Sequence, residues 1–178
     1  MKKLLKLFIY IFVMVALIIV FLPKVNAYYA AEKMMKDKQV YITDEKVVDN
    51  GLSLELIDAK VYFDKLELMK VENIKLSPWI LYNTLELNYI DINEGFSDFL
   101  PQDINSVKVE HFFYNPLYIK LSGDSSDSFF NGEVDILNRM IRVHLNVGVK
   151  SEKKYKNLLK KLRKEPEEEG GYYYEYKF

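Results

Sequence analysis

Hydrophobic and polar positions follow three different periods along this chain. From Leu4 to Leu22 every residue but Lys6 is apolar or Tyr10. As a helix rising 1.5 Å per residue, that run is about 28 Å long, close to the ~30 Å hydrocarbon core of a bilayer. It predicts a membrane-spanning helix, with Lys6 reaching back to the head groups and Tyr28 and Tyr29 beyond Pro23-Lys24 where an aromatic belt would lie. Ala27 to Lys38 then predicts a short helix, with Tyr28, Ala31, Met34 and Met35 at helical spacing. From Gln39 to Gly148 the period becomes two, as strands require.

The strands carry more than alternation. Leu52, Leu54 and Leu56 keep one parity, and Ala59, Val61 and Phe63 the other. With Asp64-Lys65 as a two-residue turn, Val61 faces Leu68, and the phase breaks at Asp58 and Val71 face each other. Opposed breaks predict one shared bend or bulge and a curved sheet. Pro78 ends the next strand. Thr84 to Ile92 follows (Leu85, Leu87 and Tyr89, then Ile90 and Ile92 after another shift). Asn93 to Asp103 reads as a loop, and Ser106 to Tyr114 as a strand.

A three-strand meander comes next. Leu117, Ile119 and Leu121 alternate with polar residues, Gly123 to Ser128 forms a turn, and Phe130, Val134 and Ile136 carry the following apolar face. A turn at Asn138-Arg139 sets Ile136 against Ile141 and Val134 against Val143. On the other face it sets Asp135 against Arg142 and Glu133 against His144, apolar with apolar and opposite charges together. Ser151 to Lys164 predicts an amphipathic helix, with Tyr155, Leu158, Leu159 and Leu162 on one stripe and lysines elsewhere. Glu165 to Gly171 is an acidic loop. Tyr172 to Phe178 alternates again as a closing strand.

The expected fold class is therefore mainly β: a transmembrane helix, then a curved antiparallel sheet, open groove or sandwich, with one amphipathic helix near the carboxy terminus. The expected parts are an anchor at 1–24, a helical stalk at 25–38 and a β domain at 39–178 that includes the helix 151–164 and the strand 172–178. A cleaved secretory signal is the other reading of the leader. Lys2-Lys3 supplies its basic region and Val25-Asn26-Ala27 its small residues, against which stand the length of the run and Lys24. Lysine counts on the two sides of the run nearly balance, with Lys24, Lys33, Lys36 and Lys38 after it; the crowding of three lysines and the amino group into the first six residues is what favours an inside amino terminus and an exported body.

Composition narrows the chemistry. The net charge of −1 argues against nucleic acid as a partner. The chain has no cysteine and so neither disulfides nor thiolate chemistry. Two histidines, His111 and His144, are too few for a zinc site without distant carboxylates. The Gly123–Ser128 turn lacks the order of a calcium loop, and neither a Gly-x-Ser-x-Gly elbow nor a glycine-rich phosphate loop occurs. No catalytic residue, metal or cofactor is expected, and no enzyme. The lysine-rich helix either lies on anionic head groups or packs on the sheet with its lysines solvated. The aromatic last strand either ends the sheet or accepts a partner strand.

The stretch from Leu52 to Ile92, with Leu-x-Leu-x-Leu, Asp58-Ala59-x-Val61 and Leu66-x-Leu68, resembles AsmA-like periplasmic proteins, including type II secretion system protein N. So does the segment from Asn115-Pro116-Leu117 to Val134. The resemblance covers about two thirds of the chain, by pattern alone; shortness and the lysine-rich helix depart from it. A lipopolysaccharide-export anchor protein has a similar layout. The resemblance implies a single-pass protein of the bacterial inner membrane with a periplasmic domain, an accessory of envelope biogenesis or secretion. Its partners would be the membrane, through Leu4–Leu22, and a lipid or envelope and secretion proteins. The alternative is a scaffold that binds a protein and no lipid. An open sheet would line an apolar groove with Leu85, Leu87, Ile119, Leu121, Val134, Ile136, Ile141 and Val143; a closed one would make them core.

Overall fold

The computed structural model describes residues 2–79, 81–96, 101, 103–164 and 171–178. Two helices, α1 (Lys2–Phe21) and α2 (Lys24–Lys36), precede the strands. These are β1 (Val40–Thr43), β2 (Lys46–Asp49), β3 (Leu54–Phe63), β4 (Leu66–Pro78), β5 (Tyr82–Ile92), β6 (Asp103–Phe112), β7 (Asn115–Ser125), β8 (Ser128–Asp135) and β9 (Met140–Val147). Two short helices, α3 (Val149–Lys154) and α4 (Lys156–Leu159), lead to β10 (Arg163–Lys164) and β11 (Gly171–Lys177). All described strands belong to one open antiparallel sheet in the order β1-β3-β4-β5-β6-β7-β8-β9-β11-β10, with β2 also pairing β3. At about 4.8 Å per strand it is roughly 43 Å across.

One apolar set runs across the whole sheet because antiparallel partners share a face. Leu56 pairs with Ile74, Ile74 with Leu87, Leu87 with Val107, and Val109 with Leu121. The row continues from Ile119 to Val134, Ile141 and Tyr176. The opposite face carries charge. Lys108 lies 3.7 Å from Glu86 and 3.0 Å from Glu110, and Arg142 lies 2.8 Å from Glu133 and 3.3 Å from Glu175.

The phase breaks form a crease. Asp58 falls between the pairs Ile57–Asn73 and Ala59–Val71, so it stands opposite Glu72. Glu72 in turn faces Tyr89, between Asn73–Asn88 and Val71–Ile90, and Tyr89 faces Asn105, where β6 shifts register against β7. Asp58 and Tyr89 have φ of 59° and 55°. Each of these strands therefore turns two successive residues to the charged face at one level, and the apolar side chains above and below stay on one side. The break was expected opposite Val71 and stands at Glu72. The cause is a bulge: Phe63–Leu66 and Tyr62–Glu67 pair around Asp64-Lys65, but Val61 then pairs with Met69, not Leu68. The freed Leu68 carbonyl accepts the Asn93 N–H at 3.0 Å.

Three other expectations shift. The β8–β9 turn spans four residues, so Val134 meets Ile141 and Glu133 meets Arg142; Ile136 lies in the turn and His144 faces Asn131. Asp135 causes this by holding the Asn138 N–H at 2.9 Å and its side-chain amide at 2.7 Å. The slip is two residues, so every face is preserved. The β7–β8 turn shrinks to Ser126-Asp127, because Gly123 and Asp124 pair with Phe130 and Phe129. A Cβ on Gly123 would run into the Phe130 ring and lie 2.9 Å from the Ser106 carbonyl. Gly123→Ala should therefore cost about 1–3 kcal/mol, seen as a lower urea midpoint. The helix expected over 151–164 breaks at Tyr155 and ends at Leu159; Arg163 and Lys164 pair with Tyr173 and Tyr172 as β10. Most of the acidic loop, 165–170, and the segments 97–100 and 102 lie outside the described residues.

Hydrogen bonds fix the acid response. The Ser151 hydroxyl holds the Asp127 carboxyl below its ordinary 3.8, and the Asn138 backbone and amide do the same for Asp135. The Tyr82 hydroxyl lowers Glu110 from 4.5, and the Tyr173 hydroxyl and Arg142 lower Glu175. A carboxyl with a lowered folded-state pKa stabilises the fold above its unfolded value, and that stability is lost as pH falls through the folded value. The melting temperature should be flat from neutrality to about pH 5 and drop below it. Asp135→Asn should flatten part of that drop in a pH series of thermal melts.

Candidate functional site: an apolar cavity under the second helix

α1 is long and apolar enough to cross a membrane. Pro23 ends it, since the chain cannot continue the same hydrogen-bond ladder there. Lys24 fixes the corner. Its side chain is 2% exposed, and its ammonium donates to the Val20 and Leu22 carbonyls at 3.2 and 3.4 Å and lies 3.6 Å from Asp49. A cation at the last carbonyls of a helix is the favourable arrangement. The corner is thereby tied to the end of β2.

From that corner α2 runs across the apolar face. Tyr28 is buried between the helix and Leu54, Leu56 and Val61, and its hydroxyl donates to Glu45 at 2.7 Å. Burial and the Glu45 carboxylate push the phenol well above its usual 10.0, so it stays a donor. The segment expected as a stalk is thus seated on the sheet. Its contact stripe also differs from expectation: Ala27, Ala31 and Met35 face inward with Tyr28, while Met34 is 71% exposed.

Helix and sheet do not close on each other. Between them lies a half-open cavity of about 550 Å³, walled by Leu22, Pro23, Ala27, Ala31 and Met35 and floored by Leu54, Leu56, Ile74, Leu76, Leu85 and Leu87. Among the described residues Lys24 is the only charged side chain in its wall, and its ammonium is already bonded. Such a space has the size of a small-ligand pocket, roughly 300–1,000 Å³. Its described lining offers dispersion and desolvation, and its two polar side chains, Lys24 and Tyr28, are already hydrogen-bonded.

Beyond the cavity the apolar face goes on without a described segment over it. Val109, Ile119, Leu121, Val134, Ile141 and Val143 are only half-buried and belong to neither buried cluster. Of the eight residues expected to line a groove, Leu85 and Leu87 lie in the cavity. Ile119, Leu121, Val134, Ile141 and Val143 share its face, and Ile136 sits in an exposed turn. Past β9 the face is covered again, where Tyr155 and Leu159 pack on Val147 and Tyr172.

A second cavity, about 480 Å³, lies at that end, ringed by Lys153, Lys156, Lys160 and Lys164 with Glu152, Leu159, Leu162 and Tyr172. Glu152 accepts from the Tyr172 hydroxyl at 2.7 Å. The expected contact stripe is split: Tyr155 and Leu159 are buried, and Leu158 is exposed. Among the described residues no group of three or more His, Cys, Asp or Glu is placed to hold a metal. The His144 and Tyr173 rings pack tilted at 55°, with centroids 4.9 Å apart. Compared with protein-family models, with curated proteins and with solved structures, the chain gives no significant match.

Proposed function

We propose that this chain is a membrane-tethered carrier that holds a lipid acyl chain on its open apolar face, as an accessory of envelope biogenesis or secretion in a bacterial inner membrane. The β domain lies on the periplasmic side, in keeping with the resemblance to AsmA-like proteins. The observation that carries this reading is the placement of the apolar cavity. It opens between α2 and the sheet beside the last turn of α1, where a chain leaving the bilayer would arrive. The half-exposed stripe from β6 to β9 then continues it. Burying apolar surface there contributes about 25 cal/mol per Å².

The test is to purify the full chain in mild detergent, extract it and identify lipid by mass spectrometry. A near-stoichiometric lipid is expected; a consistently lipid-free protein would refute the carrier. A phosphatase fused behind Phe178 should be active only outside the cytoplasm.

A second reading, a scaffold that docks a protein, has one observation of its own. β10 covers only Tyr172 and Tyr173 of β11, so Tyr174 to Lys177 present an edge without a described strand beside it, open to strand addition. A single crosslinked protein with no lipid would favour this reading.

A further inference from the structure

In an antiparallel meander alternate hairpins turn at opposite rims of the sheet, and the two rims here differ in chemistry. The β4–β5, β6–β7 and β8–β9 turns share one rim with the carboxy terminus, where Phe178 N–H donates to the Arg139 carbonyl at 2.9 Å. Their tips are apolar and aromatic: Leu81 is 66% exposed, Phe113 65%, Tyr114 79% and Leu137 73%, with Trp79 and Phe178 also outward. The opposite rim turns at Asp64-Lys65, at the β5–β6 connection that opens with Asn93-Glu94, and at Ser126-Asp127; Phe63, Leu66 and Phe129 are exposed there, but the described turn residues themselves are mostly polar or charged. The three apolar tips stand in a row about 10 Å apart, two strand spacings.

The apolar rim is also the one at which α1 meets the domain. Lys24 reaches Asp49 there, and a Cβ on Gly51 would lie 3.9 Å from Val20. Pro78, at the end of β4, walls the cavity together with Leu22 and Pro23. We propose that these three hairpin tips and Phe178 dip into the interface of the same bilayer that α1 spans, so that the sheet stands on the membrane on its rim. Trp and Tyr are enriched at that depth, and Phe and Leu are the residues that interfacial helices bury in the same layer. The described tip residues carry no carboxylate of their own, the one at their base being Asp135, already bonded to Asn138, and Arg139 and Lys177 beside them suit anionic head groups. Seated this way, the apolar face meets the membrane along a line and not at one corner. The inference rests on α1 lying in a bilayer; it does not require that lipid be carried.

Trp79 is the sole tryptophan and the chain has no cysteine, so the test is direct. The full chain is reconstituted into vesicles of phosphatidylethanolamine and phosphatidylglycerol, with and without a phosphatidylcholine brominated near the head group, and floated. The expected result is co-flotation, with Trp79 emission shifted to the blue and mostly lost to the bromolipid. A polarity-sensitive label on Leu137→Cys should report an apolar setting, and on Lys65→Cys an aqueous one. If the chain floats but bromolipid leaves Trp79 bright, the rim is not in the membrane, and shielding from aqueous quencher would then indicate a protein contact instead. If the chain does not float, α1 is no anchor and this inference falls with it.

Discussion

Leu56→Ala should lower the unfolding free energy of the domain by about 2–4 kcal/mol, while Leu121→Ala should lower it by less than about 1 kcal/mol. Both are leucines on the same face of the same sheet. Leu56 is 1% exposed, between Val47 and Ile74 on the neighbouring strands and under the buried cluster at α2. Truncating it leaves a void that rigid neighbours cannot fill. Leu121 is half-buried between Val109 and Gly132, and its far side is open, so truncation only trims a surface. Urea midpoints at unchanged slope give both values. Equal costs would mean that the middle strands are covered in the resting molecule and that the open stripe does not exist.

The sheet was legible because parity and phase are written residue by residue. The switch from Leu54-x-Leu56 to Ala59-x-Val61 predicts a break, and the matching switches on β4 and β5 show that it crosses strands. Registers were less legible. Nothing in Tyr62-Phe63-Asp64-Lys65 announces that Leu68 will bulge, since the gain comes from Asn93 on another strand end. The β8–β9 slip has a local cause that was visible, an Asp three residues before an Asn. The two-residue turn competes with it in the sequence because it too pairs apolar with apolar.

The candidate site was only half legible. Alternation says which residues share a face, and so picks out Leu85 to Val143; it cannot say where a helix comes to rest on that face. Ala27, Ala31 and Met35 recur at four-residue spacing, and small residues on one stripe are the only hint that α2 leaves space beneath it. Lys24 speaks in the sequence only against a signal cleavage point; that it caps α1 from the next helix shows only in the fold. The rim of apolar tips was invisible for another reason. Trp79, Phe113 and Leu137 are far apart in sequence, and only the meander sets them side by side.

Ala31→Trp should cut co-purifying lipid about tenfold, a change of about 1.4 kcal/mol in binding free energy, and leave the stability of the fold within about 0.5 kcal/mol. Ala31 walls the cavity from the helix side yet is itself exposed, so a larger side chain can swing into the space without displacing Leu54 or Leu56. The indole would take up contacts that an acyl chain otherwise makes. Met34→Trp is the matched control, because Met34 points away and is 71% exposed; it should change neither lipid content nor urea midpoint. If both variants keep their lipid, the chain rests elsewhere, and the stripe over Ile119, Leu121 and Val143 becomes the place to block. If Ala31→Trp loses lipid only by unfolding, its midpoint will show it. The pair therefore separates occupancy of the cavity from integrity of the sheet, the distinction on which a carrier and a scaffold part.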